Sequence, residues 1–293
     1  MIALLLGVMA SVFVVIAVGW LWVRSGQPFD NRLVSGLVGS VGTPCLVLRT
    51  FDQRSLDMAA FADMAAAATL MVGIASALGA VALTLLRMDV REYLPALMFP
   101  NVANMGLPVV LFVFGETGLA LAIVVLIVHV VAHNTVGIAV AARRLPLTGL
   151  LRLPVFPALV IGIALAATGW HLPQWLARSV DLLANLTIPL MLLALGATLA
   201  RLQVMRLLVG ALVTGLRLAI GLVAALLGGW ALGLDPMAHG VLILQGTMPV
   251  AVLSYLYAER YGTGGEAMAG AVMVSTLAAL LTVPLMVWLV TQG

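Results

Sequence analysis

Apolar segments long enough to cross a membrane follow one another along almost the whole chain. A helix that spans the hydrocarbon core of a bilayer needs about 20 mostly apolar residues. Cutting the sequence where charges, glycine or proline cluster leaves ten such segments with short connections between them. The predicted spans are residues 2–23, 33–50, 59–86, 94–115, 117–141, 154–170, 178–200, 206–232, 238–258 and 267–290. The sequence therefore predicts an all-α membrane protein with ten transmembrane helices.

The composition supports this prediction and argues against several other classes of protein. Of 293 residues, 63% are hydrophobic and 9% are charged, whereas a soluble domain has about 25% charged residues. The net charge of +3 is spread along the chain, so nothing indicates nucleic-acid binding. Cys45 is the single cysteine, which excludes a disulfide framework and multi-cysteine metal sites. We expect no metal, no cofactor and no enzymatic activity, because the spans hold no nucleophile motif, no His-Glu-x-x-His and no acid pair.

The arginines predict the orientation of the spans in the membrane. Positively charged residues gather in loops on the cytoplasmic side. Loops after the odd-numbered spans hold ten arginines, and the other loops hold three. The ten are Arg24, Arg32, Arg87, Arg91, Arg143, Arg144, Arg152, Arg201, Arg206 and Arg260, and the three are Arg49, Arg54 and Arg178. This distribution predicts that both termini lie outside.

Similar combinations of polar residues, glycine and proline recur in the two halves of the chain. Gly42-Thr43-Pro44 in span 2 matches Thr187-Ile188-Pro189 in span 7. Asn104 and Pro108 in span 4, with glycine between them, match Gln245 and Pro249 in span 9. Spans 1–5 and 6–10 are therefore predicted to be two copies, residues 1–146 and 147–293. Five is an odd number, so the second copy enters the membrane from the opposite face and the repeat is inverted.

The matched prolines predict a polar site inside the membrane. Proline lacks an N–H and clashes with the carbonyl four residues back, so spans 4 and 9 are expected to break near Pro108 and Pro249. Broken backbone is tolerated in a membrane only where it is buried in protein or lines a wet cavity. Half-helix N-termini would attract anions there, and unwound carbonyls would attract cations. The alternative is that the prolines only kink their helices.

Two motifs at these positions resemble a known family of carriers. They are Asn-x-x-Asn-x-Gly-x-Pro at 101–108 and Gln-Gly-Thr-Met-Pro-Val-Ala-Val-x-Ser at 245–254, the second followed by Ala-Glu-Arg-Tyr-Gly at 258–262. The chain resembles bacterial members of the auxin efflux carrier family, which are related to the plant PIN-type carriers. It differs from the plant carriers in lacking their long central cytoplasmic loop.

The resemblance implies an elevator-type transporter of the bacterial inner membrane. It implies a scaffold of spans 1, 2, 6 and 7 and a mobile unit of spans 3–5 and 8–10, whose helices 4 and 9 cross at their prolines. It further implies a homodimer in the lipid bilayer and an organic anion as substrate, either auxin-like or a malate-like or malonate-like carboxylate.

The candidate substrate-binding residues are those at the two predicted breaks and those expected to face them from spans 2 and 7. Amide and hydroxyl groups can hydrogen-bond a carboxylate, although asparagines also cap helix ends and small polar residues also pack helices together. The candidates are Asn101, Asn104, Gly106, Pro108, Gln245, Gly246, Thr247, Pro249, Thr43, Pro44, Asn185 and Pro189.

A second group of polar residues suggests a proton relay or a charge pair. His129 and His133 are one helical turn apart in span 5, with Asn134 adjacent, and imidazoles inside a membrane are candidates for proton transfer. Hydrogen bonding between helices is the alternative role. Arg217 lies deep in span 8, where a cation needs a cavity or a partner. Its partner could be the substrate or Asp63 in span 3.

The sequence-based hypothesis is a secondary transporter that moves an organic anion by alternating access at the crossing of spans 4 and 9. Coupling to H+ or Na+ stays open. The alternatives are a sodium- or proton-coupled bile-acid-type carrier, a cation/proton antiporter-like carrier, and a membrane sensor that does not transport. Spans 4 and 9 lack the buried acidic residues that antiporters usually need.

Overall fold

The computed structural model describes residues 2–52, 58–142, 153–202, 206–261 and 265–292. These residues are helical apart from turns, short extended stretches and one antiparallel bridge between Pro100 and Val250. The predicted all-helical fold is confirmed, whereas the ten-span inverted repeat stays a prediction. The predicted repeat boundary at 146–147 and the loop residues Arg54, Arg143, Arg144 and Arg152 lie outside the described residues.

Short turns and three π-helical stretches connect the α-helices of the described chain. In chain order the elements are α1 (Ile2–Arg24), α2 (Asn31–Leu37), π1 (Val38–Gly42), α3 (Thr43–Asp52), α4 (Met58–Leu85), α5 (Val90–Met98), π2 (Val102–Gly106), α6 (Leu107–Ala132), π3 (His133–Gly137), α7 (Ile138–Ala142), α8 (Val155–Thr168), α9 (Gln174–Arg201), α10 (Leu207–Ala231), α11 (Pro236–Gly246), α12 (Val252–Tyr261) and α13 (Gly265–Gln292). α6 changes direction at Gly115, whose φ of 64° and ψ of −160° are accessible essentially only to glycine. The predicted boundary between spans 4 and 5 falls at this residue.

Six helical segments in the described residues are long and apolar enough to cross a membrane. They are Asn31–Asp52, Met58–Leu85, Val102–Val140, Gln174–Arg201, Leu207–Ala231 and Gly265–Gln292, and Ala10–Arg24 and Val155–Thr168 are shorter apolar helices. Many large apolar side chains on these helices are exposed, for example Leu182 and Leu281. In a bilayer such side chains contact lipid, so their exposure does not oppose folding.

The chain divides into two compact units, and each draws on both halves of the sequence. The first unit comprises Met1–Val12, Ala62–Pro146 and Leu202–Gly293, and the second comprises Phe13–Phe61 and Leu147–Arg201. The first unit contains the interrupted helices α5–α6 and α11–α12. The second contains most of α1, together with α2, α3, α8 and α9.

Glycines allow helices of the second unit to approach each other closely. A Cβ atom at Gly19 of α1 would lie 2.2 Å from the carbonyl oxygen of Leu193 in α9, and one at Gly196 would lie 1.9 Å from the carbonyl oxygen of Ile16. Close backbone contact through small residues is the usual way in which membrane helices pack. The backbones of α1 and α9 are therefore in close contact.

Two of the π-helical stretches share one sequence pattern. Val38–Pro44 and Val102–Pro108 both read Val-x-x-x-Gly-x-Pro, with the π turn on the first five residues and proline second in the helix that follows. The proline ring clashes with the carbonyl four residues back and cannot donate an N–H, which favours a wider turn. The prediction that Pro108 breaks its helix is therefore wrong, because Pro108 instead follows a widened turn.

Candidate functional site

Two helices of the first unit are interrupted and cross each other at their interruptions. α5 ends at Met98, and the chain stays unwound through Asn101 before π2 begins. α11 ends at Gly246, and the chain stays unwound through Ala251 before α12 begins. The predicted break in span 9 is found at Pro249, and the break in span 4 lies eight residues earlier than predicted, at Pro100 instead of Pro108.

The two unwound stretches hydrogen-bond to each other. The amide N of Asn101 donates to the carbonyl oxygen of Pro249 at 2.7 Å, and the amide N of Ala251 donates to the carbonyl oxygen of Phe99 at 3.2 Å. Pro100 and Pro249 have no N–H. The crossing therefore has fewer unpaired backbone donors than it would have with any other residue type at these two positions. Backbone groups freed inside a membrane need such internal partners.

Serine side chains satisfy further backbone groups at the crossing. Ser275 of α13 accepts a hydrogen bond from the amide N of Val250 at 3.0 Å. Ser254 of α12 donates to the carbonyl oxygen of Pro95 at 3.3 Å. Both hydroxyl groups are buried, and they connect the crossing to neighbouring turns of the first unit.

Arg217 joins the C-terminal ends of the two first half-helices. Its side chain is 1% exposed, and its two terminal nitrogens donate to the carbonyl oxygens of Leu97 in α5 and Gly246 in α11. Asp63 is exposed on α4, and the contacts of Arg217 are with backbone carbonyls instead. The guanidinium therefore hydrogen-bonds to the C-terminal ends of two helices, a role that the sequence did not indicate.

Glycines allow the backbone and Arg217 to come together. A Cβ atom at Gly221, one turn after Arg217 on α10, would lie 2.0 Å from the carbonyl oxygen of Gly246 and 2.5 Å from a terminal nitrogen of Arg217. A Cβ atom at Gly246 would lie 2.9 Å from the carbonyl oxygen of Gly221. Both positions therefore require glycine for close approach.

The asparagines of span 4 have two different environments. Asn101 is 4% exposed, and its side-chain oxygen accepts from the amide N of Asn104 at 3.2 Å, so it caps π2. The side-chain nitrogen of Asn101 is buried without a partner among the described residues. Asn104 is half-buried. Capping uses only one of the two polar atoms of Asn101 and leaves an N–H donor available.

Gln245 is the most unusual polar side chain of the crossing. It is 0% exposed, yet neither its amide oxygen nor its amide nitrogen has a partner within the described parts of the chain. It packs against Gly106, where a Cβ atom would lie 2.0 Å from the amide oxygen. An unpaired buried amide costs about 1–3 kcal/mol, so such groups need an explanation.

Thr247, next to this glutamine, is already satisfied. Its hydroxyl group donates to the carbonyl oxygen of Ile243 at 2.8 Å and lies 3.2 Å from that of Leu244. It ends α11 by bonding to its own helix. The predicted group Asn101, Gly106, Gln245, Gly246 and Pro249 thus lies together at the crossing, with Thr247 in a capping position.

A cluster of aromatic and histidine side chains lies next to the crossing. The ring of Phe99, a residue of the unwound stretch, stacks on His133 at a centroid distance of 3.9 Å. Tyr257 of α12 contacts His133 edge to face at 5.3 Å and donates to the side-chain oxygen of Asn134 at 3.4 Å. The Nδ1 of His129 lies 2.8 Å from the carbonyl oxygen of Val125.

One ring nitrogen of each buried histidine makes no hydrogen bond to the described residues. The Nε2 atoms of His129 and His133 have no partner among the described residues. His133 begins π3, and π-helical stretches are frequent at functional sites. The histidines therefore contact the crossing through Phe99, and their role as a proton relay stays a prediction.

The remaining predicted substrate-binding residues lie in the second unit. Thr43 is buried, and Pro44 is half-buried beside it. Asn185 is exposed and accepts from Arg49 at 2.5 Å, and Pro189 is exposed within the continuous helix α9. The structure thus distributes the predicted residues over both units. The crossing holds Asn101, Gly106, Gln245, Gly246, Thr247 and Pro249, whereas Asn104 and Pro108 lie in the helical segments that follow it.

Several residues of the crossing were not predicted to have a role. Ser254 lies within the motif that carries the family resemblance, and Gly221 is one helical turn from Arg217. The sequence therefore weakly indicated a role for each of them. Phe99 and Ser275 had none, because their contacts depend on which elements pack together. Pro100 could have been found by matching Pro249 to it instead of to Pro108.

An all-helical chain with several membrane-spanning helices, two of which are broken and cross at buried polar groups, has the architecture of a membrane transporter. The family described as "Membrane transport protein" matches residues 4–147 and 140–287. The chain belongs to this family, that of the auxin efflux carriers, and is a multi-pass membrane protein. The family resemblance of the two motifs is confirmed.

One relative with a named substrate is similar to this chain. It is the "Putative malonate transporter" of Rhizobium meliloti (strain 1021), which is 24% identical over 209 residues. The match covers 67% of this chain and 65% of that relative, so it spans slightly less than two thirds of the relative's length. Similarity of this degree supports the transporter class and leaves the substrate to be tested.

Proposed function

We propose that this protein transports a small organic anion across the membrane and binds its carboxylate at the crossing of the two broken helices. The observation that carries this proposal is the amide group of Gln245, which is fully buried and has no partner among the described residues. The unpartnered side-chain nitrogen of Asn101 offers a second N–H donor. A carboxylate bound there would satisfy both donors.

The helix ends favour an anion at the same place. π2 with α6 begins at Val102, and α12 begins at Val252, both directly after the unwound stretches. The N-terminus of a helix carries about half a positive charge, so two such ends favour about one negative charge. Anions bind at helix N-termini for this reason, and broken helices of transporters use it.

The substrate class we favour is a short mono- or dicarboxylate, either auxin-like or a malate-like or malonate-like acid. The named relative supports malonate as the first compound to test. The acceptor oxygen of Gln245 is also unpaired, and it would accept a hydrogen bond from a protonated carboxyl or a hydroxyl group of the substrate. A hydroxy acid such as malate fits this combination of donors and acceptor.

We further propose an elevator mechanism in an inner membrane with both termini outside, with five helices in each half of an inverted repeat and with two copies forming a homodimer. Each compact unit draws on both halves of the sequence, which supports an inverted repeat. In this proposal the unit that holds the crossing moves and the other serves as the scaffold.

The proposal is tested by ligand-induced stabilisation and by uptake into proteoliposomes with a panel of carboxylates. A ligand at 100 times its Kd raises the free energy of unfolding by about 2.7 kcal/mol. The informative variant is Asn101→Asp, because it keeps the oxygen that caps π2 and replaces the N–H donor with a negative charge. We expect it to fold normally and to lose binding and uptake by more than about tenfold, since an unpaired like charge costs well over 1.4 kcal/mol.

Asn31→Asp is the matched control for this experiment. Asn31 lies in the second unit and donates to the hydroxyl group of Thr198 at 3.0 Å, so it has no part in the proposed site. Its replacement should leave the response to carboxylates unchanged. Equal responses from both variants would exclude Asn101 from the site, and no response of the unmodified protein to any carboxylate would contradict organic-anion transport.

A further inference from the structure

The C-terminal ends of α5 and α11 concentrate negative charge at one buried place. A helix C-terminus carries about half a negative charge on its unpaired carbonyls. The two ends meet at the side chain of Arg217, so about one negative charge in total faces its guanidinium. In many transporters with broken helices, unwound carbonyls and half-helix C-termini hold a coupled Na+ or H+ instead.

We propose that Arg217 is the fixed counter-charge of the crossing and takes the place of a coupled metal cation, so that substrate binding and transport require no Na+. The transport part of this inference rests on the function proposed above. Its structural part, that a cation is needed between Leu97 and Gly246 and is supplied by the protein, does not.

The geometry is specific for a guanidinium group. One terminal nitrogen of Arg217 donates to the carbonyl oxygen of Leu97 and the other to that of Gly246. A planar guanidinium presents such a fork, whereas the ammonium group of lysine is a point charge. Gly221 leaves the space for it, because any larger residue would collide with both the guanidinium and the carbonyl of Gly246.

The positive charge of Arg217 is not compensated by a buried carboxylate among the described residues of the first unit. Among the described residues of the first unit, none of the buried side chains is acidic, and the buried Asp52 belongs to the second unit. Asp63 is exposed. A buried cation needs a partner, and the partners shown for Arg217 are the two helix ends. The positive charge therefore matches the C-termini and leaves the N-terminal ends for the substrate anion.

This arrangement predicts that Arg217→Ala leaves a cation site lined by carbonyl oxygens. Added guanidinium ion, at a concentration too low to denature the protein, should occupy it. We expect guanidinium to raise the unfolding temperature of Arg217→Ala and to leave that of the unmodified protein unchanged. Leu195→Ala, which opens a buried apolar cavity in the second unit, and Arg178→Ala, which removes an exposed arginine, should not respond.

Uptake in proteoliposomes gives the second measurement. Carboxylate uptake by the unmodified protein should stay within about twofold when Na+ is replaced by choline, because no metal cation is required. Uptake by Arg217→Ala should fall more than about tenfold, since a buried hydrogen-bonding charge is lost, and guanidinium should restore part of it. Arg217→Lys should retain less uptake than the unmodified protein, because an ammonium group is a point charge and cannot hydrogen-bond well to both carbonyl oxygens.

Two results would overturn the inference. One is a loss of more than about tenfold in uptake by the unmodified protein without Na+, which needs no variant and so does not depend on whether Arg217→Ala folds. The other is an equal effect of guanidinium on Arg217→Ala and Leu195→Ala. Specific stabilisation of Arg217→Ala by guanidinium, together with no uptake of any carboxylate, would support the cation role and contradict only the proposed function.

Discussion

The segments Val38–Pro44 and Val102–Pro108 share a sequence pattern and a backbone but differ in their surroundings. In the first, Gly42 packs against Thr187, whose hydroxyl group already donates to the carbonyl oxygen of Leu183 at 2.7 Å. In the second, Gly106 packs against Gln245, whose amide group has no partner among the described residues. The comparison indicates that the pattern specifies a widened helical turn, and that the residue across from its glycine decides whether a buried polar group is left unpaired.

The largest loss of stability is expected from a substitution at Gly221, which lies outside the two Val-x-x-x-Gly-x-Pro segments but packs against the crossing. Gly221→Ala would place a Cβ atom 2.0 Å from the backbone oxygen of Gly246, and a backbone atom cannot move aside as a side-chain end can. We expect a loss of about 3 kcal/mol in the free energy of unfolding, measured in detergent by thermal or denaturant unfolding. Gly215→Ala on the same helix, with nothing within 4 Å of its Cβ position, is the control and should be neutral.

The next prediction compares the two glycines directly. Gly106→Ala and Gly42→Ala would each place a Cβ atom against the end of a side chain, at 2.0 Å from Gln245 and 2.3 Å from Thr187. Each should cost about 1–2 kcal/mol in the free energy of unfolding. Stabilisation by a carboxylate should be lost only in Gly106→Ala. Loss in both variants would show that the two segments are equivalent and would contradict the comparison.

A smaller effect of opposite sign should distinguish the two side chains that face the glycines. Gln245→Leu removes an unpaired buried amide, so the ligand-free protein should gain about 1 kcal/mol in stability while losing its response to carboxylates. Thr187→Val removes a paired hydroxyl group and should cost about 0.5–1 kcal/mol. Unfolding in denaturant measures both. A destabilised Gln245→Leu would indicate that the amide is satisfied in the protein.

The smallest effect is expected for the proline that was wrongly predicted to break its helix. Pro108 directly follows the widened turn of π2, which already accommodates its ring and its missing N–H, so Pro108→Ala should change the free energy of unfolding by less than about 1 kcal/mol. Pro44→Ala, the equivalent change in the other segment, should do the same. A much larger cost for Pro108→Ala would mean that the interruption in this helix depends on Pro108 after all.

Much of the fold could be predicted because membrane helices are specified locally. The predicted spans 206–232 and 267–290 correspond to Leu207–Ala231 and Gly265–Gln292, since length and apolar character alone define such segments. The break at Pro249 was also predicted from the sequence. The break at Pro100 was missed because Pro108 matched the spacing of the second half better, although Pro100 has the partner across the crossing.

The sequence by itself determined that this chain is a helical membrane protein of the transporter class, with prolines and glycines that disturb particular helices. Only the tertiary structure decided which proline accompanies a break, which amides are left unpaired and what Arg217 contacts. Arg217 is 120 residues from Leu97 and 29 residues from Gly246 along the chain. Backbone groups freed inside a membrane must be satisfied by whichever residues the fold brings to them, and local sequence cannot specify such partners.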